Sequence, residues 1–123
     1  MTQTNNFIWD LLYPNSPETQ TEMNIQASQL FEKIESELSE LIQTIKESSD
    51  AEGYSPFNPE LLDNTITEWK KYREVKAKFD ASPYEGGSIY SLIYANSQTS
   101  TTKEKIESLK NEYEIRLRKY ASR

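Results

Sequence analysis

Cysteine and histidine are both missing from this chain of 123 residues. Without cysteine there is no disulfide, no thiolate metal ligand and no sulfur nucleophile, a composition that suits a reducing compartment. Without histidine the commonest neutral-pH general base and metal ligand is gone as well. Catalytic residues, metal ligands and cofactor-binding residues are therefore each expected to be none, and the chain is not expected to be an enzyme. Glycine occurs only three times, and hydrophobic residues make up only 35% of the chain. A single domain with a thin core follows. No apolar run approaches the ~20 residues of a membrane-spanning helix, and the start lacks the basic and apolar blocks of a signal peptide. The expectation is a cytoplasmic protein with no membrane insertion, or a periplasmic or secreted one if Met1 begins a processed chain.

Basic side chains are scarce in the first half. Residues 1 to 68 hold two of them against thirteen acidic ones, a balance of −11, whereas residues 69 to 123 hold twelve against seven, a balance of +5, which gives the net −6. Either an acidic helix packs beside basic ones, or an acidic face meets a basic partner. Nucleic acid is an unfavoured partner, since phosphate neutralisation calls for a basic patch that the whole-chain charge does not supply.

What the chain does have is aromatic residues, four Phe, two Trp and eight Tyr, and long stretches of helical periodicity. Residues 1 to 15 form a tail with an aromatic segment, Phe7-Ile8-Trp9-Asp10-Leu11-Leu12-Tyr13, closed by Pro14. This segment either folds back over the core or docks on a partner through Phe7, Trp9, Leu12 and Tyr13. Residues 16 to 123 read as one helical domain. Ser16-Pro17 is a cap followed by proline at the first helical position. Met23, Ala27, Leu30, Phe31, Ile34, Leu38, Leu41, Ile42 and Ile45 then mark one helical face, with Glu32, Glu35, Glu37 and Glu40 opposite. This first helix should end near Ser48-Ser49-Asp50.

A loop is expected over residues 49 to 58, where Gly53 and Pro56 lie. Asn58-Pro59 repeats the cap-then-proline signature and opens a second helix with a buried row of Leu62, Ile66, Trp69, Arg73 and Ala77, and Phe79 near its end. Trp69 and Arg73 are read as structural. For Arg73 two arrangements are open, a stem along the core with the guanidinium on a carboxylate or helix end, or a guanidinium directed into a pocket.

Pro83 stops the second helix and Gly86-Gly87 turns the chain, because glycine enters left-handed or crowded backbone without a Cβ penalty. From Ser88 to Arg123 neither glycine nor proline occurs. One long third helix is expected, and Ser97 to Thr102, where poor helix formers collect, is the place at which it could bend or break. The segment Tyr84, Glu85, Gly86, Gly87, Ser88 and Tyr90 is either a contact loop or an interhelical packing element. Carboxylate pairs such as Glu32 with Glu35 or Glu104 with Glu107 read as solvated helix faces. Gly86-Gly87-Ser88 lacks the spacing and the Lys-Ser/Thr of a phosphate loop.

Several stretches taken in order resemble the LprI-like lysozyme-inhibitor domain family: Thr19-Gln20-Thr21-Glu22-Met23-Asn24, the helix through Glu32 to Leu38, Trp69 with Tyr72-Arg73, Glu85-Gly86-Gly87-Ser88-Ile89, Tyr94-Ala95-Asn96, and Thr102 to Leu109. The resemblance spans roughly residues 17 to 110. It implies a small, mostly helical, non-enzymatic binding domain, typically exported, some of whose members bind and inhibit lysozyme. Relatives usually carry cysteine where this chain has Gln26, Ala77 and Ser97, and losing a disulfide forfeits ~2 to 4 kcal/mol. Their loss together suits a chain kept in the cytoplasm.

The combined expectation is an all-α fold, three main helices in a small bundle with an extended N-terminal tail. Its function is a non-catalytic protein-binding module, an intracellular accessory subunit of a larger assembly. The alternative is an inhibitor of lysozyme or another cell-wall hydrolase.

Overall fold

The structure, a computed structural model, describes residues 19–48, 53 and 55–121. The aromatic segment Phe7 to Tyr13 and the Ser16-Pro17 start lie outside the described residues. Three α-helices run in sequence, α1 (Gln20–Glu47), α2 (Pro59–Ala81) and α3 (Tyr90–Ala121), with a short 3-10 turn at Ser82–Tyr84 between the last two. No strand occurs among the described residues. Helix α3 lies along both α1 and α2.

The cap of α1 is Thr19, not Ser16. Thr19 is in extended backbone conformation and its hydroxyl accepts from the Glu22 amide at 3.1 Å. Thr19 with Glu22 three residues on matches the spacing of a capping box, a start signal equal to the cap-and-proline pair upstream. Helix α2 begins as expected, with the Asn58 side chain accepting from the Leu61 amide at 3.0 Å and Pro59 in the first turn. Helix α3 runs unbroken through Ser97 to Thr102. The poor helix propensity of that stretch is overridden by burial, because Ser97, Thr99, Thr101 and Thr102 are all inside the bundle.

The buried positions Leu92, Ala95, Thr99, Thr102, Ile106 and Leu109 form one row on α3, with Ser97 and Thr101 buried beside it. Alternating steps of three and four along that row keep it facing the neighbouring helices. The main core joins Ile34, Leu38 and Ile45 of α1, Leu62 and Ile66 of α2, and Ile106 and Leu109 of α3. Phe57, in the stretch expected to be only a loop, is 7% exposed and belongs to this core. A second, smaller cluster of Ala27, Leu92 and Ala95 lies toward the other end, with Met23 against it.

Two expected core residues are outside. Leu30 is 42% exposed and Phe79 is 75% exposed. On α1 the buried seam passes through Ala27 and Ile34 and turns Leu30 to its edge, while Phe79 lies two residues from Ala77 and Ala81 and so nearly opposite them on the helix.

Candidate functional site

The segment that follows α2 is exposed at every residue from Ser82 to Ile89. Its backbone is nevertheless tied down. The Ser82 hydroxyl donates to the Phe79 carbonyl at 2.7 Å and closes the end of α2. The amides of Glu85, Gly87 and Tyr90 donate in turn to the carbonyls of Ser82, Tyr84 and Gly87. Gly86 has φ +81, a conformation that residues with a Cβ adopt at a cost. At Gly87 an added Cβ would meet the Tyr84 carbonyl oxygen at 3.3 Å.

Helix α1 braces the loop from the side. The Asn24 amide donates to the Ser88 carbonyl at 3.2 Å, and its own oxygen accepts from the Gln20 side chain at 2.8 Å. Beyond the turn the rings of Tyr90 and Tyr94 stack with centroids 6.1 Å apart. The loop therefore presents Tyr84, Glu85 and Ile89 around a Gly-Gly tip on a hydrogen-bonded frame. Of the sequence-expected contact residues, the structure groups Tyr84, Glu85, Gly86, Gly87, Ser88 and Tyr90 here. Phe7, Trp9, Leu12 and Tyr13 lie outside the described residues.

Trp69 and Arg73 lie elsewhere, in the middle of the bundle. Arg73 is 7% exposed, and its guanidinium donates from Nη1 to Glu35 Oε1 at 2.9 Å and from Nη2 to Glu35 Oε2 at 2.7 Å. It also donates to the Thr102 hydroxyl at 3.1 Å, which in turn donates to the Gln98 carbonyl at 2.7 Å. The rings of Phe31 and Trp69 lie 5.0 and 4.9 Å from the guanidinium carbon. Planar charge, paired carboxylate and aromatic faces together satisfy a buried arginine. Glu35 is thus not on the outer face of α1 where helical spacing put it. Its pKa is held below the ordinary 4.5, chiefly by the Arg73 hydrogen bonds, against the opposing effect of burial and with further help from the charges of Arg73 and Lys70.

A second polar link joins α2 to α3. Asp80 accepts from Lys76 at 2.8 Å and from the Ser97 hydroxyl at 2.7 Å. Both contacts lower the Asp80 pKa, Lys76 more than Ser97. Lys76 and Asp80 are four residues apart on α2, a local pairing; the Ser97 contact has no local signal, because it bridges two helices whose relative rotation is set only on packing.

Near the opposite end, a cleft of roughly 330 Å³ opens between the start of α2 and the later half of α3, lined among others by Phe57, Leu61, Lys105, Glu112 and Arg116. Arg116 covers the Phe57 ring at 4.3 Å and binds Glu112 at 2.8 Å, so its charge is already answered. No group of three or more metal-ligating side chains comes together among the described residues. No helix among them is long and apolar enough to cross a membrane.

These features define a small helical bundle that carries a braced, exposed loop at one end, the form of a binding domain. The family model for the lysozyme inhibitor LprI matches residues 14–109, most of the chain, and the chain belongs to that family. No curated protein and no solved structure matches it significantly. The family is described by inhibition, not by a reaction that its members catalyse.

Proposed function

We propose that the chain is a non-catalytic protein-binding module that inhibits a lysozyme-type cell-wall hydrolase, with the loop from Tyr84 to Tyr90 as its main contact. One observation carries this reading: in a member of a lysozyme-inhibitor family, an exposed loop is held in shape by its own hydrogen bonds and by Asn24. A loop already ordered before binding loses less conformational freedom on docking, which favours affinity. Tyr84 and Ile89 supply apolar contact area at the tip, Glu85 a negative charge. Glu32, Glu37 and Glu40, exposed on α1, add acidic surface toward a basic enzyme. The test is lysis of a cell-wall suspension by a panel of lysozymes. Lysis should fall as the chain is titrated in, and Tyr84→Ala with Glu85→Ala should weaken inhibition by tenfold or more. Lysis unchanged at molar excess removes this reading for the enzymes tested.

A second reading is an accessory subunit of a cytoplasmic assembly, using the same loop. The observation in its favour is that the bundle packs without cysteine where the family resemblance implies it, with Ala77 fully buried and Ser97 hydrogen-bonded to Asp80. A stoichiometric partner captured from native lysate supports it. A free monomer alone on size exclusion removes it.

A further inference from the structure

Helix α2 has three sides, and one of them is apolar and bare. Asp63 and Lys70 face α1, where they meet Lys46 and Glu35. Asp80 faces α3, where it meets Ser97. The side that meets neither helix carries Tyr72, Val75 and Phe79, which are 56%, 65% and 75% exposed. Their spacing of three and then four residues aligns them in one stripe about 10 Å long. Large apolar side chains lined up in this way are the signature of a face that another element covers.

We propose that the chain's own apolar segment, Phe7 to Tyr13, lies on this stripe. Two observations select that occupant. The first is reach. Asn24, in the second turn of α1, is bonded to Ser88, so the start of α1 lies at the end of the bundle where α2 finishes and Phe79 sits. The six residues from Tyr13 to Thr19 span up to ~20 Å when extended, about two helix diameters.

The second is composition: six of the seven residues from Phe7 to Tyr13 are apolar, and Asp10 is the exception. Burying each large side chain stabilises the fold by ~1.5 to 3 kcal/mol, and a core of this size has few other sources of such burial. The segment would act as a fourth layer that completes the bundle, leaving the loop at Tyr84 to Tyr90 open. This arrangement stands independently of which protein the loop binds.

Because the chain has no cysteine, it can be tested cleanly by paired substitution in the full-length protein. Leu12→Cys with Phe79→Cys is equilibrated in a glutathione redox buffer beside Leu12→Cys with Leu117→Cys. Leu117 is also exposed and lies near the far end of α3. A disulfide needs the two Cα atoms within about 7 Å. The first pair should close within one chain at an effective molarity at least tenfold above the second. Equal values for the two pairs, or disulfides only between chains, overturn the proposal, the latter in favour of a second copy on the stripe.

A second measurement uses no cysteine. Iodide quenching of Trp9, after subtracting the Trp69 signal seen in Trp9→Phe, should rise at least twofold when Val75→Asp and Phe79→Asp are introduced together. Trp9 quenched as freely as a short peptide in the unaltered chain would also overturn it.

Discussion

Arg73 of α2 and Glu35 of α1 form a two-pronged ion pair, with both guanidinium nitrogens on separate carboxylate oxygens at 2.9 and 2.7 Å. The pair is the strongest direct tie between two helices that otherwise meet chiefly through α3. It is also anchored to α3 itself by the Thr102 hydroxyl, so all three helices converge on one guanidinium.

Replacing that guanidinium should be costly. Arg73→Ala leaves a partly buried carboxylate without its partner and removes the guanidinium that lies over the rings of Phe31 and Trp69, so a loss of about 3 kcal/mol is expected. Arg73→Lys keeps the charge but loses the planar fork, and about half that loss is expected. Urea midpoints at neutral pH check both, and the slopes should stay unchanged if the bundle still unfolds in one step.

Acid should weaken the fold through the same pair. The folded pKa of Glu35 is below its ordinary value of 4.5, so the unfolded chain binds the proton more readily. Stability from this group is therefore fully present above about pH 4.5 and is lost as pH falls through the folded pKa. Asp80, lowered by Lys76 and Ser97, acts in the same direction. Melting temperatures followed from pH 6 to pH 2 should fall in the unaltered chain, and Glu35→Gln should flatten that fall while lowering the value at pH 6.

Thr99 offers the opposite case. Its hydroxyl oxygen is buried and has no hydrogen-bond partner, whereas the neighbouring Thr102 hydroxyl has two. A buried unpaired hydroxyl costs free energy that a methyl group does not. Thr99→Val should therefore raise stability by up to ~1 kcal/mol, and Thr102→Val should lower it by ~1 to 2 kcal/mol because the Arg73 donor is left short. Thermal melts of the two variants side by side read the difference in sign.

The helices were legible in the sequence because their signals are local. Asn58-Pro59, the apolar steps of α1 and the absence of glycine and proline after Gly87 each act within a few turns of the chain. A buried Arg73 with its guanidinium on a carboxylate was one of two arrangements its row allowed, but which carboxylate was not legible, since Glu35 and Arg73 are 38 residues apart and meet only when α1 and α2 take up their rotations about α3. Phe79 was misplaced for a related reason. Near the end of α2 two helical rows are close in sequence, and only packing shows that Ala77 and Ala81 face inward while Phe79 faces out. The loop at Gly86-Gly87 was found from glycine alone, but its brace from Asn24 is a contact across 64 residues that no local rule supplies.

That brace separates shape from composition in the loop and so yields a sharper prediction than removing its aromatic residues. Gly86→Ala forces a Cβ into backbone at φ +81, at a cost of ~1 to 2 kcal/mol that the loop can avoid by changing its turn. Asn24→Ala removes the tie to the Ser88 carbonyl and leaves every loop side chain in place. Neither position belongs to the main core, so both variants should keep the helical circular dichroism and most of the melting temperature. Binding to the partner should nevertheless weaken by about tenfold in each, mainly through faster dissociation, since a loosened loop must be ordered again in the complex. Calorimetry should show a more unfavourable entropy of binding for Asn24→Ala than for the unaltered chain. Full affinity in both variants would place the contact on another surface.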